Sequence, residues 1–183
     1  MSRNYKLLLL ITYNLLLITF LQAQQKQIQF LSGTDAKNTV QWDFFCTAGR
    51  NSGEWKKIQV PSCWEQQGFG NYNYGRDYKT NGKNFRFYDE KGRYKYQFKV
   101  PASMKGKIIQ LVFEGSMTDT EVKINGKSAG TIHRGAFYRF KYDITSLLNY
   151  DKPNTLEVTV SKMSSDASVN NAERLADYWV FGG

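Results

Sequence analysis

The chain has 183 residues, among them 15 Gly, 3 Pro and 2 Cys, and 15% are aromatic. These values exclude a collagen repeat, a disordered chain and a disulfide-built scaffold, and they leave room for one packed domain. The formal charge of +9 comes from 25 Lys and Arg against 16 Asp and Glu. Because the cations alternate with apolar residues, as at Arg93, Lys95 and Lys99, and form no concentrated stripe, nucleic acid is not expected as a partner.

In chain order, Arg3 and Lys6 precede an apolar run from Leu7 to Leu21, and Leu21-Gln22-Ala23 offers a small-residue cleavage site. Residues 1–23 therefore read as a signal peptide, with export to the periplasm or the outside expected. Tyr13 and Asn14 interrupt the run and leave it short of the ~20 apolar residues of a membrane span, so no span is expected after cleavage. Residues 24–54 are expected to supply strands leading into the main domain. Cys46 and Cys63 leave two readings open, a disulfide in an oxidising compartment or two free thiols.

From Trp64 to Arg93 the chain is rich in both glycine and aromatics, with Gly68, Gly70, Gly75, Gly82 and Gly92 among Tyr72, Tyr74, Tyr78, Phe85, Phe87 and Tyr88. That composition suits a long ordered loop, a kind of segment that usually serves function. Period-two alternation then takes over. Tyr94, Tyr96, Phe98 and Val100 share one face and Arg93, Lys95, Gln97 and Lys99 the other, with Pro101 ending the strand. Lys107 to Glu114 carries Ile109, Leu111 and Phe113 on one face and Ile108 and Val112 on the other, which predicts a central strand buried on both sides.

Asn125-Gly126 between Thr120 to Ile124 and Lys127 to His133 predicts a type I′ hairpin, since both central residues need positive φ. Tyr138 to Ile144 and Leu156 to Val160 alternate as half-buried strands. Between them a single helical turn is expected, capped by Asp143 or Thr145, and Lys152-Pro153-Asn154 reverses the chain. No window keeps a helical period for three turns. The fold class predicted is all-β, an antiparallel β-sandwich of the jelly-roll type.

Catalytic motifs are absent: there is no GxSxG, HExxH, P-loop, dinucleotide fingerprint or CxxC. His133 is the single histidine, so a Ser-His-Asp triad or histidine-rich metal site is not expected, and His133 itself suits a hydrogen-bonded strand end. Glu54, Glu65, Glu114 and Glu121 are scattered, and no spacing selects two of them as a glycosidase pair. No catalytic residue, metal or cofactor is assigned.

Four blocks, in order, carry a family resemblance. Trp55-Lys56-Lys57-Ile58-Gln59-Val60-Pro61-Ser62-Cys63-Trp64-Glu65-Gln66-Gln67-Gly68 resembles the entry of the sugar-binding domain of glycoside hydrolase family 2, which includes β-galactosidases and β-glucuronidases. Phe113-Glu114-Gly115 with Val122-Lys123-Ile124-Asn125-Gly126 resembles its next pair of motifs, although Ser116 and Met117 depart from the pattern. His133-Arg134-Gly135-Ala136-Phe137 through Asp143-Ile144-Thr145 resembles the third block, with Ala136 in place of a glycine. Asp177-Tyr178-Trp179-Val180-Phe181-Gly182-Gly183 is similar to the block that closes the domain.

The resemblance implies a galactose-binding-like jelly roll over residues 55–183, truncated before its last strand, from the amino-terminal end of an exported glycosidase acting on β-linked glycans. The TIM barrel that carries the two catalytic glutamates in the family is not in this chain, which is then expected to be inactive alone. Asp177 maps onto the family aspartate that hydrogen-bonds sugar hydroxyls. Arg76 falls near the position where some β-galactosidases use an asparagine. Tyr74 and Trp179 are expected to stack on pyranose rings, as would Trp64 unless it packs in the core. The implied partners are carbohydrate and the missing barrel. The rival readings are a free-standing carbohydrate-binding module and a structural sandwich without a glycan role.

Overall fold

The computed structural model describes residues 26–71, 90–170, 172 and 182–183; the expected signal peptide lies outside them. The chain divides into two compact units. In the first, residues 1–30, the described positions 26–30 form no regular element. The second, Leu31–Gly183, holds all the described strands. No helix among the described residues is long and apolar enough to cross a membrane.

Eight strands are described in this unit: β1 (Val40–Cys46), β2 (Trp55–Val60), β3 (Lys91–Lys99), β4 (Gln110–Phe113), β5 (Asp119–Ile124), β6 (Lys127–Ser128), β7 (Phe140–Asp143) and β8 (Pro153–Ser161). Six form one antiparallel sheet in the order β2-β1-β3-β8-β5-β6, and β4 and β7 form a second. Helical structure among the described residues is limited to short 3-10 turns and the four residues Ala167–Asn170. The all-β sandwich expected from the alternation is what the chain builds.

The alternation works as predicted in the large sheet. On β3 Gly92, Tyr94 and Phe98 are buried while Arg93, Lys95 and Gln97 are not, and on β8 Asn154, Leu156, Val158 and Val160 are buried. Together with Trp42 and Phe44 of β1, Ile58 of β2, Val122 and Ile124 of β5 and Tyr142 of β7 they form one core cluster, against which Leu111 and Phe113 of β4 pack. Each such side chain contributes roughly 1.5–3 kcal/mol on leaving water. The turn at Asn125-Gly126 has φ 54 and φ 78, the left-handed pair a type I′ turn needs. Asn125 also donates to the Leu147 carbonyl (2.9 Å) and the Asn154 side chain (2.8 Å) and accepts from the Thr155 N–H (2.9 Å), so the turn is welded to β8.

Three expectations are corrected. The stretch Lys107 to Glu114 is not a central strand: β4 pairs only with β7 among the described strands, and Ile108 and Val112 are 76% and 46% exposed. Its second apolar face meets no described layer. The strand after Asn125-Gly126 is short, because the chain turns away after Ser128 and returns only as a bridge between Thr120 and His133. Pro153 does not sit in the turn but starts β8, with Asp151 at φ 56 making the reversal before it. The helical turn is a 3-10 turn, Thr145–Leu147, and its Thr145 N–H and hydroxyl both donate to Asp143.

Candidate functional site

Tyr74, Arg76, Asp177 and Trp179, the four residues expected to touch sugar, lie outside the described residues. The chain on their flanks is described: Asn71 and Glu90 bracket the glycine-rich segment, and Gly182-Gly183 are the described end of the Asp177 block. These flanks meet on one buried ionic cluster.

Its centre is Lys162, whose side chain is fully buried. Period two explains the position, since Lys162 continues the inward series Leu156, Val158 and Val160. Glu90 stands likewise two residues before the inward Gly92 and is fully buried. Glu65 comes from the Trp64–Gln67 3-10 turn, which Gly68 closes in the left-handed conformation (φ 87). The Lys162 ammonium lies 2.6 Å from Glu65 Oε1 and 3.5 Å from Glu90 Oε1, and it donates to the Asn71 carbonyl.

The cluster grips backbone at two distant points. The Gly182 N–H donates to both oxygens of Glu65 (3.0 and 2.9 Å), and the Asn71 N–H donates to Glu90. The main chain completes the seam, with the Trp64 N–H on the Gly182 carbonyl (2.8 Å) and the Met117 N–H on the Gly183 carbonyl (2.7 Å). Burial pushes the Glu65 carboxyl up, against the pull of Lys162 and the Gly182 N–H. Desolvation offsets much of the Coulomb gain of such a buried pair, whereas removing one partner alone is costly.

Trp64 is fully buried, so it packs in the core and does not present a face to sugar. Its indole is enclosed by glycines: a Cβ would stand 1.8 Å from the ring at Gly182, 2.6 Å at Gly92 and 2.9 Å from its Nε1 at Gly70. Only residues without a side chain allow the backbone this close. Phe44 packs against the same indole, with centroids 5.9 Å apart.

The remaining chemistry-bearing residues have structural partners. His133 Nε2 bonds the Gly135 carbonyl (2.9 Å) and the ring stacks on Phe140 at 3.7 Å, the strand-end role expected for it. Cys46 and Cys63 are both free thiols, and burial pushes both up from the ordinary cysteine value. Glu54, Glu114 and Glu121 pair with Lys56, Arg139 and Lys123. No group of three or more metal-ligating side chains occurs among the described residues.

Lys162, Glu90 and Asn71 escaped the sequence reading. The signal was present as two charges falling in phase with the core faces of their strands, at the inward positions that should have been apolar.

The glycosyl hydrolase 2 galactose-binding domain-like family matches residues 42–180. A β-galactosidase of Bacteroides ovatus is 29% identical over 129 residues, 70% of this chain and 14% of the relative. A β-galactosidase of Thermoanaerobacter pseudethanolicus is 32% identical over 90 residues, 49% of this chain and 12% of the relative. The chain thus spans about one seventh or less of the curated relatives it matches. Among solved structures, a β-glucuronidase of Bacteroides uniformis superposes with a TM-score of 0.57 at 26% identity, covering 87% of this chain and 17% of that one.

Proposed function

The chain belongs to the glycosyl hydrolase 2 galactose-binding domain-like family, and from that premise we propose that it is the sugar-recognition sandwich of an exported glycosidase acting on β-linked glycans. In this reading Asp177 accepts hydrogen bonds from sugar hydroxyls, Trp179 and Tyr74 offer apolar faces to the ring, and Arg76 adds a donor. The acid/base and nucleophile belong to a barrel outside this chain. Glu65 and Glu90, the two carboxylates that share a partner, are sealed from solvent and cannot flank a glycosidic bond as a catalytic pair must.

The observation that supports this assignment is the convergence of Asn71 and Gly182 on Lys162 and Glu65. It brings the ends of the two segments carrying the four named residues to one rigid point. Binding groups that a rigid scaffold orients contribute to transition-state binding when another domain supplies the reacting groups.

The test is Asp177→Asn in a protein that joins this domain to the catalytic barrel. Replacing a charged acceptor should cost about ten- to a hundredfold in kcat/KM with the melting temperature unchanged. A lowered melting temperature with kcat/KM within twofold would make Asp177 a turn cap and overturn the assignment. The purified chain alone should not hydrolyse nitrophenyl β-galactoside or β-glucuronide. Turnover that survives repurification and is lost on mutating one carboxylate would move the chemistry into this chain.

A further inference from the structure

The solvent face of the large sheet carries a groove with an unusual combination of groups. Across the strands, Trp55, Phe45, Arg93, Thr159 and Glu121 stand in one register row. Trp55 is 46% exposed and pairs with Phe45 (centroids 5.7 Å apart), while Arg93 lies over Phe45 at 5.7 Å. The cavity over this row has a volume of about 400 Å³, and Lys91 forms part of its lining.

Lys91 also lines a second cavity of about 200 Å³ with Asp119, Ser161, Met163, Ser164 and Ser165. Lys91 thus borders both cavities. Asp119 has a side chain only 7% exposed. Its Oδ2 accepts from the Ser165 N–H (2.7 Å) and hydroxyl (2.8 Å) and pairs with Arg134 at 3.5 Å. Its Oδ1 is buried and has no partner. A buried carboxylate oxygen without a donor is costly, and this one is sealed from solvent.

Charge completes the description. Lys95 pairs with Glu157 (3.2 Å) and Lys123 with Glu121 (3.1 Å). Lys91 and Arg93 have no carboxylate partner among the described residues. The groove thus offers an aromatic platform at one end and, in the middle, two cations without a carboxylate partner among the described residues. Four strand spacings separate Trp55 from Glu121, about 19 Å, which is oligomer length.

We propose that this groove binds an acidic oligosaccharide, a glycan chain bearing uronate carboxylates. The apolar C–H face of a pyranose matches Trp55, and carboxylates match Lys91 and Arg93. An acidic peptide would satisfy the cations but leave the exposed face of Trp55 unexplained, and the cations form no stripe of the kind nucleic acid needs. The site involves no hydrolysis, so its failure leaves the Asp177 assignment untouched.

The test is affinity electrophoresis of the purified chain in native gels containing polygalacturonate, neutral galactan, polyglutamate or DNA. Polygalacturonate should retard the protein most. Trp55→Ala, which leaves every charge in place, should weaken that retardation roughly tenfold, and Lys91→Gln, at a second exposed position, should weaken it as well. Melting curves matching wild type establish that both variants are folded. Equal retardation by polyglutamate or DNA, retardation by galactan as strong as by polygalacturonate, indifference to both substitutions, or no retardation at all would each overturn the proposal.

Discussion

Lys162 and Glu65 meet at 2.6 Å with their side chains 0% and 2% exposed, and the carboxylate so held receives the N–H of Gly182 on both its oxygens. A lysine at the end of one strand therefore sets, through Glu65, where the Gly182 backbone lies. Two buried carboxylates share this one ammonium, so its loss should be severe.

Lys162→Met should destabilise the fold by about 3–5 kcal/mol, the cost of leaving buried charge without its partner. Replacing Glu65 and Glu90 by Gln in the same protein should recover a large part of the loss, since the uncompensated charges are then gone. Urea titrations of the single and triple variants check this. A loss under about 1 kcal/mol in the single variant would mean that water reaches the cluster.

The pH response follows from Glu65. Burial raises its folded carboxyl above the unfolded value of about 4.5, so between those two values the native state holds the proton more tightly. That contribution to stability is complete below pH 4.5 and is lost as pH rises through the folded value. The stability of wild type relative to Glu65→Gln should accordingly fall as pH rises from about 4.5. Thermal melts at paired pH values measure it, and a difference that grows with pH would reverse the sign.

Gly92→Ala places a Cβ 2.6 Å from the Trp64 ring and 2.7 Å from Phe44. Both rings are fully buried and have nowhere to retreat. A destabilisation of about 1–3 kcal/mol or more is expected from overpacking, seen as a lower urea midpoint at unchanged slope.

Thiol labelling separates the two cysteine readings. Both are free, Cys46 is fully buried, and burial raises both above the ordinary thiol value, which slows alkylation because the thiolate is the nucleophile. Non-reduced protein should gain two iodoacetamide adducts after denaturation, with Cys46 unreactive while folded. A mass two hydrogens lower and no adducts would establish a disulfide.

Much of the domain is legible from local pattern. Tyr94 to Val100 and Leu156 to Val160 alternate with period two because neighbouring side chains on a strand point to opposite faces, and Asn125-Gly126 meets the positive-φ demand of its turn within two residues. The four ordered motifs likewise pointed to the family before any contact was known. These features depend on residues close in sequence, so the sequence by itself determines them.

What the sequence left undecided depends on which element comes to lie opposite. Ile108 and Val112 read as buried because they are apolar, yet no described layer covers them, and a strand's pattern cannot say whether its second face has a neighbour. Lys162 and Glu90 fall on core faces, but period two assigns only the face, and their neutralisation requires Glu65 from a turn far away along the chain. Trp64 could have faced sugar or core until Gly70, Gly92 and Gly182 were brought around its indole. Burial and the pairing of buried charge are properties of the assembled layers, and tertiary structure alone decided them.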